Sequence, residues 1–329
     1  MKIYEMQGGK RVLWREVEVA RKNQALNVGF DPLAPVVLAL APRNSGKFVL
    51  ECEEEMQYEM TDEVLLERFA EKSLAKMFPT PLPLWKDYLW PEVRTEEDGS
   101  LPESSVQDIT DKKFFEATGG MWTVQLLELK STGVENGPAA PRATGLETDK
   151  MSKKHISAHF DAFIGQILKK IPAEDRRTFK VVVQDSYETG GQNWTDDMLS
   201  VFKQTYGYDP LPYLPVLMGK AVGSPDRSER FLWDLRRLIA DRVAYDYVGG
   251  LREKAHAAGL TTWLENYGHW GFPSEFMMYG GQSDEISGEY WSEGSLGDIE
   301  NRAAASTAHV YGKEKVWAES FTAAGKEFW

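Results

Sequence analysis

The chain reads as an α/β protein built on a parallel sheet, a (β/α)8 TIM-like barrel that is incomplete and is preceded by a β-rich, irregular part. Three observations predict this. From Lys150 onward, short apolar runs of strand length alternate with stretches of helical periodicity, the pattern of βαβ units. Three of those runs end in glutamates: Glu188 in FKVVVQDSYETGG (179 to 191), Glu265 in LTTWLENYGHWG (260 to 271) and Glu289 in DEISGEYWSEG (284 to 294). The length of 329 residues, with 42% hydrophobic and 12% aromatic content, can fill one large α/β domain or two smaller ones. A full barrel typically needs about 250 residues, yet only three or four convincing strand and helix pairs follow Lys150.

Taken in order, residues 1–149 form the β-rich part and 150–329 the βα-repeat part that carries the acids, the two together readable as one domain. APVVLALAP (34 to 42) and KFVLECE (47 to 53) read as strands around the turn residues Asn44, Ser45 and Gly46, and MWTVQLLEL (121 to 129) reads as a third. TPLPLWKDYLWPEVRTEEDGSLPESS (80 to 105) and STGVENGPAAPRATG (131 to 145) read as exposed excursions. The stretch 150 to 171 places Ile156, Phe160, Phe163, Ile164 and Leu168 on one helical face, and the strand FKVVVQ follows. A long helical stretch from 224 to 259 opens with Ser224 before Pro225 and stops at Gly259. The strand TTWLE comes next, then a helix over 296 to 312 ending at Gly312, then the strand KVWAESFT (315 to 322) with Glu319 near its end. No internal repeat or low-complexity tract interrupts the pattern.

Composition narrows the partners. Thirty-eight Lys and Arg against 51 Asp and Glu give a net charge of −13 without a basic stripe, which disfavours nucleic acid and anionic membranes. A neutral or cationic ligand fits better. The lone Cys52 excludes an internal disulfide and a cysteine metal cage, and the first residues lack the apolar centre of a secretory signal. No apolar run reaches the ~18 residues of a membrane span.

Carboxylates just past apolar strands lie where βα loops converge around a crevice. Three of them suit acid/base work on a neutral substrate, although each alone is equally readable as a solvated loop carboxylate or a salt bridge. Gly190 and Gly191 permit tight bending beside Glu188, which is therefore the candidate general acid. Trp194, Tyr267, Trp270, Phe272, Tyr290 and Trp291 lie close to these acids in sequence, and flat rings with polar tips suit stacking on a sugar. Trp263, inside its strand, reads as core. His269 is placed either to bond a hydroxyl or to pack in its loop. His155 and His159 are four apart on one helical face, but neither HExxH nor a cysteine partner accompanies them, so packing is the favoured reading. The glycine turns match neither GxGxxG nor GxxxxGK[ST], and GxSxG is absent.

Five blocks carry a resemblance: GLETDKMSKKHISAHF (145 to 160), DSYETGGQNWT (185 to 195), SERFLWDLRRLIADRV (228 to 243), ENYGHWGFPSEFMMYGGQSDEISGEYW (265 to 291) and AESFT (318 to 322). In order and over most of the chain, these are similar to glycoside hydrolase family 106, the α-L-rhamnosidases and their relatives. The resemblance implies a (β/α)8 barrel, hydrolysis of terminal α-L-rhamnosyl or related deoxysugar residues with inversion, a periplasmic or extracellular setting, and a calcium ion that helps hold the sugar hydroxyls. It further implies that Asp185, Glu188, Glu265 and Glu289 are the acidic positions that matter. Glu188 is then the acid, one of Glu265 and Glu289 the base, and the other shapes the sugar or calcium site. Asp185, Trp194, Asn266, Tyr267, His269, Trp291 and Glu319 are the expected sugar contacts.

Members of the family are usually far longer. The chain therefore resembles a barrel fragment that begins near GGKRVLWREVEV (8 to 19) and ends just past AESFT, with VWAESF expected at an exposed sheet edge. The competing expectation is a carbohydrate-binding or catalytically inactive relative.

Overall fold

A computed structural model describes residues 1–16, 36–39, 46–51, 92–95, 99–114, 119–120, 122–136, 139–187, 192–218, 220–266, 274–291 and 299–322, with the backbone alone at 36–39, 92–95 and 291. The chain divides into two compact units. The first comprises Met1–Leu74, Leu82–Leu126 and Phe202–Asp234; the second comprises Ala75–Pro81, Leu127–Val201 and Leu235–Trp329.

In the first unit, β1 (Lys2–Gln7) and β2 (Lys10–Glu16) form an antiparallel hairpin. Gly8 and Gly9 turn it at φ 57° and 82°, a left-handed pair that glycine adopts without steric cost. β3 (Val36–Ala39) and β4 (Phe48–Glu51) appear where the apolar runs predict them, but they do not pair with each other. β4 joins β1 antiparallel, whereas β3 runs parallel to β5 (Glu92–Thr95). A strand thus lies inside the stretch expected to be an excursion. The expected strand 121 to 129 is absent: residues 122–130 are irregular, and Leu126 is 90% exposed. An alternating apolar run forms a strand only where an edge receives it, and among the described residues none does. The unit's aromatic core stacks Tyr213 on Phe231 at 5.6 Å, with Phe202 a further 5.6 Å from Phe231.

The second unit holds the four-stranded parallel sheet β6 (Val181–Gln184), β7 (Thr261–Glu265), β8 (Glu285–Trp291) and β9 (Val316–Thr322), in that spatial order. Consecutive order without a reversal is consistent with part of a TIM-like barrel wall. Among the described residues β6 and β9 each pair on one side only, so the sheet does not close.

Helices cover one face. The predicted helix over 150 to 171 is two: α1 (Lys153–Ala162) and α2 (Ile164–Lys170), broken at Phe163, whose ring is 61% exposed instead of sharing the buried stripe. Ile156 and Phe160 are buried as expected, and Ile164 and Leu168 pack on the Phe160 cluster with Val182 of β6. α3 (Met198–Tyr206) follows, a helix that the sequence reading missed. The long helical stretch is α4 (Pro225–Arg242), one π-helical turn (Val243–Val248) and α5 (Gly249–Ala257). The Ser224 hydroxyl caps α4 by accepting from the Arg227 N–H at 3.1 Å, and Gly259 ends the run at φ 74°. α6 (Phe276–Gly281), also missed, lies between β7 and β8 in sequence, and α7 (Ile299–Tyr311) packs Ala304 and Ala308 on Ile286 of β8.

Because side chains alternate along a strand, Val182 and Ile286 facing the helices puts Val181, Val183 and Asp185 of the β6 segment, and Ser287 and Glu289 of β8, on the other face. On that face Val183 of β6 is 64% exposed, whereas Ser287 of β8 is buried.

Candidate active site

Register assembles the acids. All four strands run the same way, so their C-terminal ends share one edge. Gln184 pairs with Leu264, which brings Asp185, the next residue, beside Glu265. Glu265 pairs with Ser287, and Glu289 pairs with Glu319. Beyond that last pair the register slips at Phe321, a bulged residue held at φ 64°. A bulge of this kind re-aims neighbouring side chains, and left-handed backbone at a non-glycine residue is strain of the sort that collects at functional edges.

Carboxylate oxygens of Asp185, Glu265 and Glu319 all lie within 4.8 Å of one another. Glu265 is 3% exposed. Burial pushes its carboxyl up to about 9, reinforced by a hydrogen bond with Asp185 and by the charges of Glu289, Asp185 and Glu319. Glu265 is therefore protonated at neutral pH and donates to Asp185, while the Ser186 N–H donates to Asp185 Oδ1 at 3.0 Å. Among the described residues no Lys or Arg is ion-paired with Asp185, Glu265 or Glu319. At the next strand, Asn301 of α7 donates to the Glu289 carbonyl at 2.6 Å. A Cβ on Gly288 would meet the Asn301 side chain at 2.5 Å, so only glycine lets α7 come this close to β8.

Behind the acids lies an aromatic and polar layer. The ring centroids of Tyr187 and Tyr247 are 6.4 Å apart, and those of Tyr247 and Tyr279 are 6.5 Å apart. Burial raises the Tyr247 hydroxyl to about 12 and the Tyr279 hydroxyl well above the ordinary tyrosine value, so both stay neutral. The Lys150 ammonium, almost fully buried, sits 5.9 Å from the Tyr187 ring centre and 5.5 Å from that of Tyr247, and pairs with Glu147 at 2.5 Å.

A row of carboxylates on parallel strand ends, one of them held neutral, is equipment for proton transfer to and from a bound neutral substrate. The family profile described as alpha-L-rhamnosidase, glycoside hydrolase family 106, matches residues 12–329. The chain belongs to this family. It is 38% identical over 206 residues to a Formosa agariphila protein described as "Putative beta-glucuronidase", an alignment covering 63% of this chain and 18% of that protein. It also resembles the solved structure of a rhamnosidase from Novosphingobium sp. PP1Y, with a TM-score of 0.54, 33% identity, and coverage of 57% of this chain and 19% of that one. The chain thus spans under a fifth of the length of either relative.

Of the site residues expected from sequence, Asp185, Glu265, Glu289 and Glu319 gather at this family member's strand edge. Glu188, Tyr267 and His269 lie outside the described residues, as do Trp270 and Phe272. Trp291 ends β8, and Trp194 is half-buried, its carbonyl accepting from the Gln192 side chain at 3.2 Å. Asn266 is fully buried on the helix side of β7, its amide packed where a Gly280 Cβ would come within 3.0 Å. Trp263 is half-buried. His155 lies 3.3 Å from Asp196, and no metal-binding group among the described residues includes it or His159.

Lys150, Tyr187 and Tyr247 were not expected at the site. Tyr247 lies in the π-helical turn, where the 3.6-residue period that would reveal its facing breaks down.

The resemblance implies calcium, and the Asp185, Glu265 and Glu319 set fits one. The oxygens are hard donors, and ligands at about 2.3–2.6 Å from an ion are separated by at most about 5 Å across it, in keeping with the 4.8 Å limit here. A cation at this point would also offset the charge that now holds a proton on Glu265.

Proposed function

We propose that this protein is a glycosidase that removes terminal α-L-rhamnosyl, or a related deoxysugar, from oligo- or polysaccharides with inversion at the anomeric carbon. The observation that carries the reading is the gathering of Asp185, Glu265, Glu289 and Glu319 on one strand edge with Glu265 kept protonated. Inversion needs a protonated acid at the leaving oxygen and an ionised carboxylate that activates water on the opposite face. Glu265, grouped with Asp185 and Glu319, is assigned to binding the sugar or the cation, and Glu289, outside that group on the neighbouring strand, to the base. Glu188, on the glycine-flanked connection after β6, is the acid. Glu319 completes the polar wall, and Asp185, Glu265 and Glu319 would hold a calcium ion, which would supply Lewis-acid contacts to sugar hydroxyls. Trp194 and Trp291, with Tyr267 and His269, would supply stacking and hydroxyl contacts.

The partner is a carbohydrate. Among the described residues no helix is long and apolar enough to cross a membrane, and the acidic balance disfavours nucleic acid. The relative described as a beta-glucuronidase makes a uronide the second reading. Turnover of a panel of aryl glycosides, α-L-rhamnoside and β-D-glucuronide among them, separates the two. Release from the rhamnoside is expected, release from the glucuronide alone would shift the substrate, and binding without release on any member would indicate an inactive, sugar-binding relative.

A further inference from the structure

Beneath the acids, the same face of the sheet turns apolar. One register row back from the C-terminal edge, Val183 of β6 pairs with Trp263 of β7, and Trp263 pairs with Glu285 of β8. On β9, Trp317 pairs with Ser287, which itself pairs with Glu265. Cα partners in a parallel sheet present their side chains to the same side, so Val183, Trp263, Glu285 and Trp317 share the face of Glu265, Glu289 and Glu319. Strand geometry puts the Trp317 Cα about 7 Å from that of Glu319 and about 10 Å from that of Glu265. A monosaccharide with its hydroxyls spans such distances.

The Trp317 ring is held in place yet remains 45% exposed. Its indole N–H donates to Glu285 Oε2 at 2.5 Å, which fixes one edge of the ring and occupies its polar tip. The Lys315 ammonium lies 5.8 Å from the ring centre, on a residue two places back along β9 and so farther from the acid edge. With its N–H satisfied, what the ring offers is a flat apolar surface, continued along the face by Val183, 64% exposed, and half-buried Trp263. An apolar floor below a rim of carboxylates matches a sugar that is hydroxylated on one side and apolar on the other. A 6-deoxyhexose has a methyl group where a uronate has a carboxylate, and that carboxylate would be desolvated against the rings and repelled by the acids. We propose that Trp317, with Trp263 and Val183, forms the floor of the sugar site and selects a 6-deoxysugar over a 6-hydroxylated sugar or a uronate. This rests on the reading of the acid row as a sugar site, and it assigns the substrate class that the site prefers.

The test is calorimetric binding, to the whole protein, of methyl α-L-rhamnoside, its 6-hydroxy counterpart methyl α-L-mannoside, and methyl β-D-glucuronide. The unmodified protein should bind the rhamnoside about tenfold or more tightly than the mannoside, and the glucuronide more weakly still. Trp317→Ala should weaken rhamnoside binding about 10- to 100-fold and narrow that preference, whereas Trp317→Phe, which keeps a flat ring, should stay within about threefold. Trp317→Thr keeps strand propensity and takes the place of Trp317→Ala if that variant fails to fold. In turnover of an aryl α-L-rhamnoside the loss should fall on KM, with kcat changed by less than about threefold. Rhamnoside affinity unchanged in Trp317→Ala or Trp317→Thr, an equal loss in Trp317→Phe, or tighter binding of the glucuronide by the unmodified protein overturns the floor. A protein that binds the rhamnoside selectively but hydrolyses nothing defeats the glycosidase reading, and the binding series alone then decides the floor. One that binds none of the three sugars defeats both.

Discussion

The two ends of the same parallel sheet treat a carboxylate in opposite ways. At the N-terminal end, just ahead of β8, Asp284 is surrounded by donors. It accepts from Arg252 Nε at 2.8 Å, His256 Nε2 at 2.9 Å, the Thr262 N–H at 2.8 Å and the Thr262 hydroxyl at 3.1 Å. Burial alone would push its carboxyl up, but the Thr262 N–H, His256 and Arg252 outweigh it and hold Asp284 below the ordinary carboxylate range. At the C-terminal end, Glu265 meets burial and other carboxyls, and is pushed up to about 9. One end is satisfied and serves stability. The other is left short of positive charge, which stabilises nothing by itself and suits a site completed by substrate or cation, as the division of labour in βα barrels leads one to expect.

Activity should respond most strongly. Glu188→Gln keeps shape and removes the transferable proton, so hydrolysis of an unactivated glycoside should fall about 100- to 10,000-fold, and of one with a very good leaving group far less. Equal losses in steady-state assays on both would remove Glu188 from the acid role.

Melting experiments should give opposite signs at the two ends. A raised carboxyl such as Glu265 contributes full stability below its unfolded value of 4.5, and loses it as pH rises toward about 9. Glu265→Gln should therefore stabilise the protein by on the order of 2–3 kcal/mol at neutral pH, while abolishing the rise in melting temperature that calcium should give the unmodified protein. A depressed carboxyl such as Asp284 contributes stability above its unfolded value of 3.8 and loses it as pH falls through the lower folded value. Asp284→Asn should then cost about 1–3 kcal/mol at neutral pH, discounted because Arg252 and His256 are partly solvated. The deficit should vanish in strong acid. Stabilisation by Asp284→Asn, or destabilisation by Glu265→Gln, would erase the distinction between the ends.

The smallest effect sharpens the account of the bulge. Phe321 is 84% exposed at φ 64°, so Phe321→Gly removes a left-handed strain of about 1 kcal/mol with little packing to lose. A melting temperature unchanged or lowered would mean that its ring is held by something other than the backbone.

The sheet that carries the site was legible in the sequence, and the reason is local. FKVVVQ, TTWLE, EISGEYW and VWAESFT are apolar runs bounded by glycines or charges, and an acid's place relative to a strand end survives a boundary error of one or two residues. What failed depended on partners. MWTVQLLEL has strand composition but joins no edge among the described residues, whereas EVRT, sitting in a proline-rich and acidic stretch, pairs with β3. α6 was missed because its six residues end in Gly280 and Gly281, a turn signature on paper. In the structure those glycines admit Ile286 and Tyr311, which a Cβ would meet at 2.5 and 2.4 Å. Lys150 was quoted within a motif yet not singled out, since its bond to Gln192 joins residues 42 apart in the chain. A contact of that range leaves no periodic trace.

The most direct test of the central claim is the anomeric configuration of the first sugar released, followed by proton NMR while the protein hydrolyses an aryl α-L-rhamnoside. The β anomer of free rhamnose should appear first, the α anomer growing in only by mutarotation. Initial release of the α anomer would contradict inversion by an acid and a water-activating carboxylate, and no release of rhamnose from any α-L-rhamnoside would contradict the proposed activity itself.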